Sequence, residues 1–201
     1  MTPRLLAVAL LAPLLAFSHP PDRAVAPAPA VWQIDPAQSS VSFAIRNFVL
    51  KVHGRFTDFR GTITADQEAW HNAAVNVEIS TASITTDNAK RDAHLRSPDF
   101  FAADSFPTIT FRSTRIERRG DDARIYGTLT LRGVTKPVVL DGHFDGIEKS
   151  AQGDRVSFEA ATTIDRTAYG VTWNRAVEGG GAMLGDDVEV EISVKAVRSA
   201  R

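Results

Sequence analysis

The first group of residues that could do chemistry is an alternating trio of acidic and imidazole side chains. Asp141, His143 and Asp145 stand two residues apart, so on a β-strand they would project from one face. Neighbouring members of the trio would then be about 7 Å apart. Carboxylate and imidazole groups at that spacing are able to share a metal ion. The opposite face carries apolar residues that must meet a core, namely Val138, Leu140 and Phe144. We therefore expect the trio to lie in solvent near a turn, and we keep a metal-dependent enzyme as an alternative.

The second group centres on His94, in a stretch predicted to be helical. Asp92 and His94 are two residues apart, and side chains at that helical spacing do not face each other, so a hydrolytic dyad would need a serine from elsewhere. The chain has neither the G-x-S-x-G pattern of a nucleophile elbow nor the H-E-x-x-H pattern of a zinc protease. The glycines at 179–181 lack the Lys-Ser/Thr of a phosphate loop and indicate a flexible loop. We therefore predict no catalytic residue, metal or cofactor, with a hydrolase using His94 as the alternative.

The composition excludes several classes of protein. The 201 residues include no cysteine, which excludes disulfides, thiol catalysis, cysteine-ligated metals and a lipid-modified N-terminal cysteine. The formal net charge is −1, so the excess of positive charge that drives nucleic-acid binding is missing. We expect no nucleic-acid partner.

The N-terminus has the organisation of a secretory signal. Arg4 precedes an apolar run over residues 5–17, which is too short and too interrupted by proline to span a bilayer. We predict a signal peptide over residues 1–18, cleaved after Ser18, with an uncleaved anchor as the alternative. A Pro/Ala-rich, disordered segment would follow over residues 19–31. No other stretch reaches membrane length, so we expect no transmembrane span in the mature chain, and a location in the periplasm or, alternatively, outside the cell.

Most of the remaining chain alternates apolar and polar residues, which is typical of half-buried strands. Val41, Phe43 and Ile45 mark one such strand near the start. The pattern predicts one all-β domain over residues 32–198, with about eight strands joined by hairpin-length connections. Because the last strand alternates as strongly as the first, an antiparallel sheet closed into a barrel is favoured, since closure leaves no unpaired edge. A barrel of about eight strands is either filled by side chains or holds one small ligand.

Residues 87–111 interrupt this pattern. They predict one short helix over residues 87–97, which Asp87 would cap and Pro98 would end. Four of the eleven phenylalanines follow within the same segment: Phe100, Phe101, Phe106 and Phe111.

Two interpretations of this insert are open on the residues alone. In one, Leu95 and the phenylalanines close one end of the barrel as core, with His94 hydrogen-bonded at the edge. In the other, they line the entrance of an apolar cavity, and Arg46, Arg96 or Arg175 meets the polar head of a ligand at the rim.

Several spaced motifs run in order from Trp32 to about Val197. They are Trp32-Gln33-Ile34-Asp35 with Ser39 to Phe43; Gly54-Arg55-Phe56 with Phe59-Arg60-Gly61; Arg91-Asp92-Ala93-His94-Leu95-Arg96 with Asp99-Phe100-Phe101; Phe106-Pro107-Thr108-Ile109-Thr110-Phe111; Gly127-Thr128-Leu129-Thr130-Leu131 with Gly133-Val134-Thr135-Lys136-Pro137-Val138; Ile164-Asp165-Arg166 with Tyr169-Gly170; and Gly185-Asp186-Asp187-Val188. With these motifs the chain resembles the YceI-like family of exported, lipid-binding proteins with a lipocalin-like barrel.

The resemblance implies a non-enzymatic carrier of a polyisoprenoid, an isoprenoid quinone or a fatty-acid derivative. We expect the lipid cavity to be lined by Phe43, Ile45, Phe48, Phe56, Leu95, Phe100, Phe101, Phe111, Leu129, Phe158, Tyr169 and Trp173. The expected head-group contacts are Arg46, His94 and Arg175. The chain departs from many members at Arg46-Asn47, where they carry Lys-His, and at Tyr169-Gly170, where they carry Phe-Gly. A filled barrel that acts as an interaction module remains a second alternative, and a homodimer is a further expectation.

Overall fold

The computed structural model describes residues 29–66, 69–150, 153–176 and 182–198. The predicted signal peptide over residues 1–18 and the glycines at 179–181 lie outside the described residues. So does the predicted Pro/Ala-rich segment as far as residue 28. At its end the structure differs from the prediction, because the first strand begins at Ala30, two residues before the predicted start of the domain.

The described chain folds into eleven strands and one α-helix. They are β1 (Ala30–Ile34), β2 (Ser40–Asn47), β3 (Leu50–Phe56), β4 (Phe59–Asp66), β5 (Ala69–Ser80), β6 (Ile84–Thr85), α1 (Ala89–Arg96), β7 (Thr108–Arg119), β8 (Asp122–Leu131), β9 (Val134–Glu148), β10 (Arg155–Asp165) and β11 (Leu184–Arg198).

The strands close into an antiparallel barrel. β1 pairs with β4 on one side and with β11 on the other, which closes the ring β1-β4-β5-β7-β8-β9-β10-β11. After a bend at residues 35–39 the chain continues as β2, which pairs with the first part of β11 and with β3. β1 with β2, and β3 with β4, therefore act as two long bent strands. The predicted closed barrel of about eight strands with one short helix is confirmed.

The two ends of the barrel differ. At one end, Trp70 packs between Trp32 and Phe144, with ring centroids 5.8 and 5.7 Å apart, and closes the interior. At the other end, β3 pairs with β2 and with two residues of β6. The chain between β6 and β7, including α1, lies across this second end, which we call the mouth of the barrel.

The helix was predicted over residues 87–97 and runs from Ala89 to Arg96, with its N-cap one residue later than predicted. Asn88, rather than Asp87, is the N-cap, and its side-chain oxygen accepts the amide of Arg91 at 3.0 Å. Asp87 has a positive φ of 57°, and its two carboxylate oxygens each accept a guanidinium hydrogen bond from Arg55 at 2.9 Å. Because the Asp87 carboxylate pairs with Arg55, Asn88 rather than Asp87 caps the helix. The helix ends at Arg96, before Pro98.

Candidate functional site

An apolar cavity of about 290 Å³ opens at the mouth of the barrel. It is surrounded by β2 and β3, the insert that carries α1, the inner faces of β7, β8, β10 and β11, and the connection between β10 and β11. Its wall is formed by Val41, Ser42, Phe43, Ile45, Asn47, Val52, Phe56, Thr86, Arg91, His94, Leu95, Phe100, Phe101, Ile109, Leu129, Leu131, Ile164, Arg166, Val171, Trp173, Met183, Leu184, Val188 and Val190.

Two smaller voids extend this cavity along the barrel axis. A void of about 100 Å³ shares the side chains of Val41, Leu129, Ile164 and Val190 with the mouth cavity. A third void of about 60 Å³ shares three side chains with the second and reaches Trp70; the shared residues are Val75, Ile125 and Phe158. The apolar interior is therefore long and narrow, running from the mouth to the closed end.

A glycine opposite Phe43 leaves space for the Phe43 ring against the neighbouring strand. Gly54 of β3 lies directly across from Phe43 of β2, and a Cβ on Gly54 would stand 2.3 Å from the Cζ atom of the Phe43 ring. The far edge of the Phe43 ring therefore occupies the space that a side chain at position 54 would take. The Phe111 ring occupies the space above Gly127 in the same way, deeper in the barrel. Rings that lie over a glycine leave volume in the lumen that they would otherwise fill.

Three aromatic rings meet at the rim. His94 of α1 stands edge-on to Phe100 and to Trp173, with both centroid distances 5.0 Å, and Phe100 lies 5.1 Å from Trp173. Trp173 belongs to the β10–β11 connection, whereas the other two belong to the insert. Ring pairs at these distances attract each other, so the two segments are held together across the mouth.

Arg166 organises the connection that carries Trp173. Its guanidinium donates to the carbonyl oxygens of Val171 at 2.6 Å, Trp173 at 3.0 Å and Gly185 at 2.8 Å, and to the carboxylate of Asp186 at 3.2 Å. Burial lowers the pKa of Arg166, against the opposing effect of Asp186, yet an arginine stays charged in proteins. Four donated hydrogen bonds satisfy a buried cation that would otherwise be costly.

Arg91 and His94 of the wall also have partners within the protein. Arg91 donates from Nε to the Thr86 hydroxyl at 2.6 Å and from Nη2 to the Thr86 carbonyl at 2.9 Å. The His94 Nε2 atom lies 2.8 Å from the Asp99 carboxylate. These pairings direct much of the hydrogen-bonding capacity of the wall into the protein, so the surface offered to a ligand is mainly hydrocarbon.

Asp92 fastens the helix to the strand before it. Its carboxylate accepts the Thr86 amide at 2.8 Å, the Thr86 hydroxyl at 2.5 Å and the Thr85 hydroxyl at 2.9 Å. Burial by itself would raise the pKa of Asp92, but these hydrogen bonds and the charge of Arg96 together lower it. The helix that carries His94 and Leu95 is thereby fixed to the barrel.

Most of the expected cavity residues meet at the mouth. The structure places the following on the cavity wall: Phe43, Ile45, Phe56, His94, Leu95, Phe100, Phe101, Leu129 and Trp173. Phe111 and Phe158 lie deeper, on the walls of the smaller voids.

Four expected residues lie away from the cavity wall. Phe48 is 54% exposed, because β2 ends at Asn47 and Phe48 occupies the β2–β3 turn that follows, with a positive φ of 57°. Tyr169 is buried in a short 3-10 turn, where burial raises the pKa of its hydroxyl. Arg46 points outward because its neighbour Ile45 points inward, and Arg175 is exposed on the β10–β11 connection.

Sequence reasoning missed two cations on the wall, Arg91 and Arg166. Both lie within the motifs that carry the family resemblance. The sequence does not distinguish an arginine on the cavity wall from an arginine exposed to solvent. It also missed the inward-facing aliphatic residues of β11, Val188 and Val190, although their alternation was a sufficient signal.

The acidic and imidazole trio lies on the outer surface. Asp141, His143 and Asp145 are all exposed, and the Nδ1 atom of His143 lies 2.8 Å from the Asp122 carboxylate. That hydrogen bond raises the pKa of His143. Over the described part of the chain, no group of three His, Asp or Glu side chains is arranged to hold a metal ion.

The comparison with protein families assigns the chain over nearly all of the barrel. The family model described as the YceI-like domain matches residues 32–196. A UPF0312 protein of Staphylococcus aureus strain USA300 is 36% identical over 167 residues, covering 82% of this chain and 95% of the relative.

Two solved structures share the fold. The YceI protein of Campylobacter jejuni superposes with a TM-score of 0.67 at 29% identity, covering 76% of this chain and 88% of that one. A polyisoprenoid-binding domain from Saccharophagus degradans, implicated in plant cell wall breakdown, superposes with a TM-score of 0.62 at 14% identity, covering 84% of this chain and 98% of that one.

Proposed function

The chain belongs to the YceI-like family, and on that premise we propose that it is a non-enzymatic carrier of one long-chain amphiphilic lipid. The tail would occupy the barrel, and the ligand would be a polyisoprenoid, an isoprenoid quinone or a fatty-acid derivative. The observation that carries the proposal is the apolar interior, in which a mouth cavity of about 290 Å³ is followed by two smaller voids that share wall side chains with their neighbours.

The shape and chemistry of the interior favour a long hydrocarbon tail over a compact polar ligand. Each buried CH₂ group contributes roughly 0.8 kcal/mol, so a tail gains affinity in proportion to its length. The wall cations Arg91 and Arg166 donate to protein acceptors, which leaves the head group at the rim beside His94 and Trp173. The polyisoprenoid binding named for the Saccharophagus degradans domain supports an isoprenoid tail.

The two histidines considered for catalysis support this assignment. His94 and His143 each pair with one carboxylate, Asp99 and Asp122 respectively. Within the described residues neither ring is hydrogen-bonded to a serine or threonine hydroxyl, the pairing that activates a nucleophile.

The proposal includes export of the protein. The basic residue, short apolar run and small residues of the first eighteen positions support a signal peptide and a periplasmic location, with release outside the cell as the alternative. In the described part of the chain, no helix has the length and apolar character needed to cross a membrane.

A cavity-filling substitution tests the carrier function. Leu129 lines both the mouth cavity and the next void, so Leu129→Trp should block the lumen and lower the amount of co-purified lipid. Thr128→Trp is the matched control, since residue 128 precedes it on β8 and faces the opposite side. Native mass spectrometry of the purified proteins should show a lipid adduct on the parent and on Thr128→Trp, and much less on Leu129→Trp. Lipid-free parent protein that takes up no isoprenoid or quinone from solution would overturn the proposal.

A further inference from the structure

The turn between β2 and β3 exposes three consecutive large apolar side chains. Phe48, Val49 and Leu50 are 54%, 79% and 70% exposed, and they exceed every other large hydrophobic residue in the described part of the chain. Hairpin turns are ordinarily built from Gly, Asn, Asp, Pro or Ser. An apolar turn has no advantage in water, which indicates that it contacts another surface.

This apolar tip, residues 48–50, borders the mouth of the cavity. The amide of Phe48 donates to the carbonyl of Met183, and Met183 is part of the cavity wall. Asn47 and Val52, which flank the tip on the two strands, are part of the wall as well. A lipid tail that enters or leaves the barrel therefore passes directly beside the tip.

A pair of cations stands below the tip. Arg46 of β2 and Lys51 of β3 are directly opposite each other in the strand register, and like charges in that position destabilise a hairpin. Lys51 is paired with Glu189 at 2.7 Å, and both members of the pair are half exposed. Arg46 is exposed. Glu189 offsets part of the repulsion through Lys51, and phosphate groups of anionic lipids would pair with the exposed Arg46.

We propose that the apolar tip inserts into the interface of a bilayer that contains anionic phospholipid. The three apolar side chains would reach the boundary between head groups and acyl chains, while Arg46 and Lys51 would stay at the level of the phosphates. This places the mouth against the membrane, so the tail of a carried lipid moves between bilayer and barrel with little exposure to water. The inference rests on the carrier function proposed above and adds the surface from which the ligand is collected or to which it is delivered.

A flotation assay with matched variants tests the inference. The probes are vesicles of phosphatidylethanolamine with phosphatidylglycerol, and vesicles of phosphatidylcholine alone. Ile147 is the control for Leu50, because it is also an exposed apolar strand residue, 41% accessible, but lies at the closed end of the barrel. The parent and Ile147→Asp should bind the anionic vesicles alike, whereas Leu50→Asp should bind about tenfold more weakly, as expected for loss of one inserted side chain. Val49→Asp should show the same loss, and Arg46→Gln with Lys51→Gln should remove the preference for anionic vesicles.

Uptake of an isoprenoid alcohol from detergent micelles is measured in parallel, because it reports on the cavity without a membrane. Normal micellar uptake by Leu50→Asp, combined with weak vesicle binding, supports docking through the tip. Equal vesicle binding by Leu50→Asp and Ile147→Asp, or no vesicle binding by a parent that takes up the alcohol, overturns docking but leaves the carrier function intact. Conversion of a dimeric parent to a monomer by Leu50→Asp also overturns it, since the tip would then be a contact between two copies.

Discussion

Asp92 shows how a single buried carboxylate positions the mouth. The side chain is 6% exposed, and it joins α1 to the backbone and hydroxyls of Thr85 and Thr86. Hydrogen bonds to a charged acceptor contribute more than neutral ones, and they weaken when the acceptor is protonated. The attachment of the helix therefore depends on the ionised state of one residue.

Because the folded-state pKa of Asp92 is lowered, its stabilising effect is present above the unfolded-state pKa and is lost as pH falls through the folded-state value. Asp92→Asn should lower the free energy of unfolding at pH 7 by about 1–3 kcal/mol. The difference from the parent should begin to shrink below pH about 4, where the Asp92 carboxylate of the unfolded chain takes up a proton, and should shrink further as pH falls through the lower folded-state pKa. Urea unfolding over a pH series measures this, with the exposed Asp104→Asn as control. A difference that does not change with pH would contradict the assigned role.

At the scale of strands, pairs of glycine and phenylalanine determine how wide the lumen is. Phe43 lies over Gly54 in the β2–β3 ladder, and Phe111 lies over Gly127 between β7 and β8. A side chain on either glycine would displace the ring into the interior. The glycines therefore contribute to the cavity without lining it.

Gly54→Ala should narrow the mouth cavity. Its Cβ would collide with the Phe43 ring, at 2.3 Å from Cζ, and overpacking of this kind costs about 1–3 kcal/mol of stability. The displaced ring should also weaken binding of an isoprenoid alcohol, which titration of Trp173 fluorescence would follow at the rim. Gly142→Ala is the control, because the nearest atom to its Cβ would be Ile125 Cδ1, at 3.3 Å and away from the mouth. Unchanged affinity in Gly54→Ala would show that the Phe43 ring does not limit the lumen.

At the scale of the whole molecule, the barrel combines one closed end with an interior that its own side chains do not fill. Protein interiors are normally packed to the density of organic crystals, so contiguous apolar voids leave their lining without contacts on one side. A bound tail would supply those contacts. A bound tail would therefore raise the free energy of unfolding.

Removal of the lipid should lower the thermal midpoint. A ligand present at about a hundred times its dissociation constant stabilises the folded state by roughly 2.7 kcal/mol, which corresponds to about 5–10 °C for a domain of this size. Calorimetry of the protein before and after organic extraction, and again after reloading with an isoprenoid alcohol, measures the change. A delipidated protein that melts at the original temperature would indicate that the voids are empty in the purified protein as well.

The sequence alone was sufficient to predict the fold class and many of the residues on the cavity wall. Alternation with a period of two is a local property, and it identifies which side chains share a face of a strand, as it does for Phe43, Ile45 and Leu129. The same alternation placed the Asp141 trio on the opposite face from the core. The aromatic insert was identified as the end of the barrel because it was the one segment that broke the pattern.

Other features required the folded chain, because they depend on contacts between distant residues. Whether Asp87 caps α1 depends on Arg55 in another strand, and whether Arg166 faces water or the cavity wall depends on the carbonyls of the β10–β11 connection. Phe48 lies outside the cavity because β2 ends at Asn47 and the next residue already belongs to the turn. The free volume in the lumen likewise depends on aromatic rings of one strand that lie over glycines of the neighbouring strand. A pattern of residues close together in the sequence does not predict that arrangement.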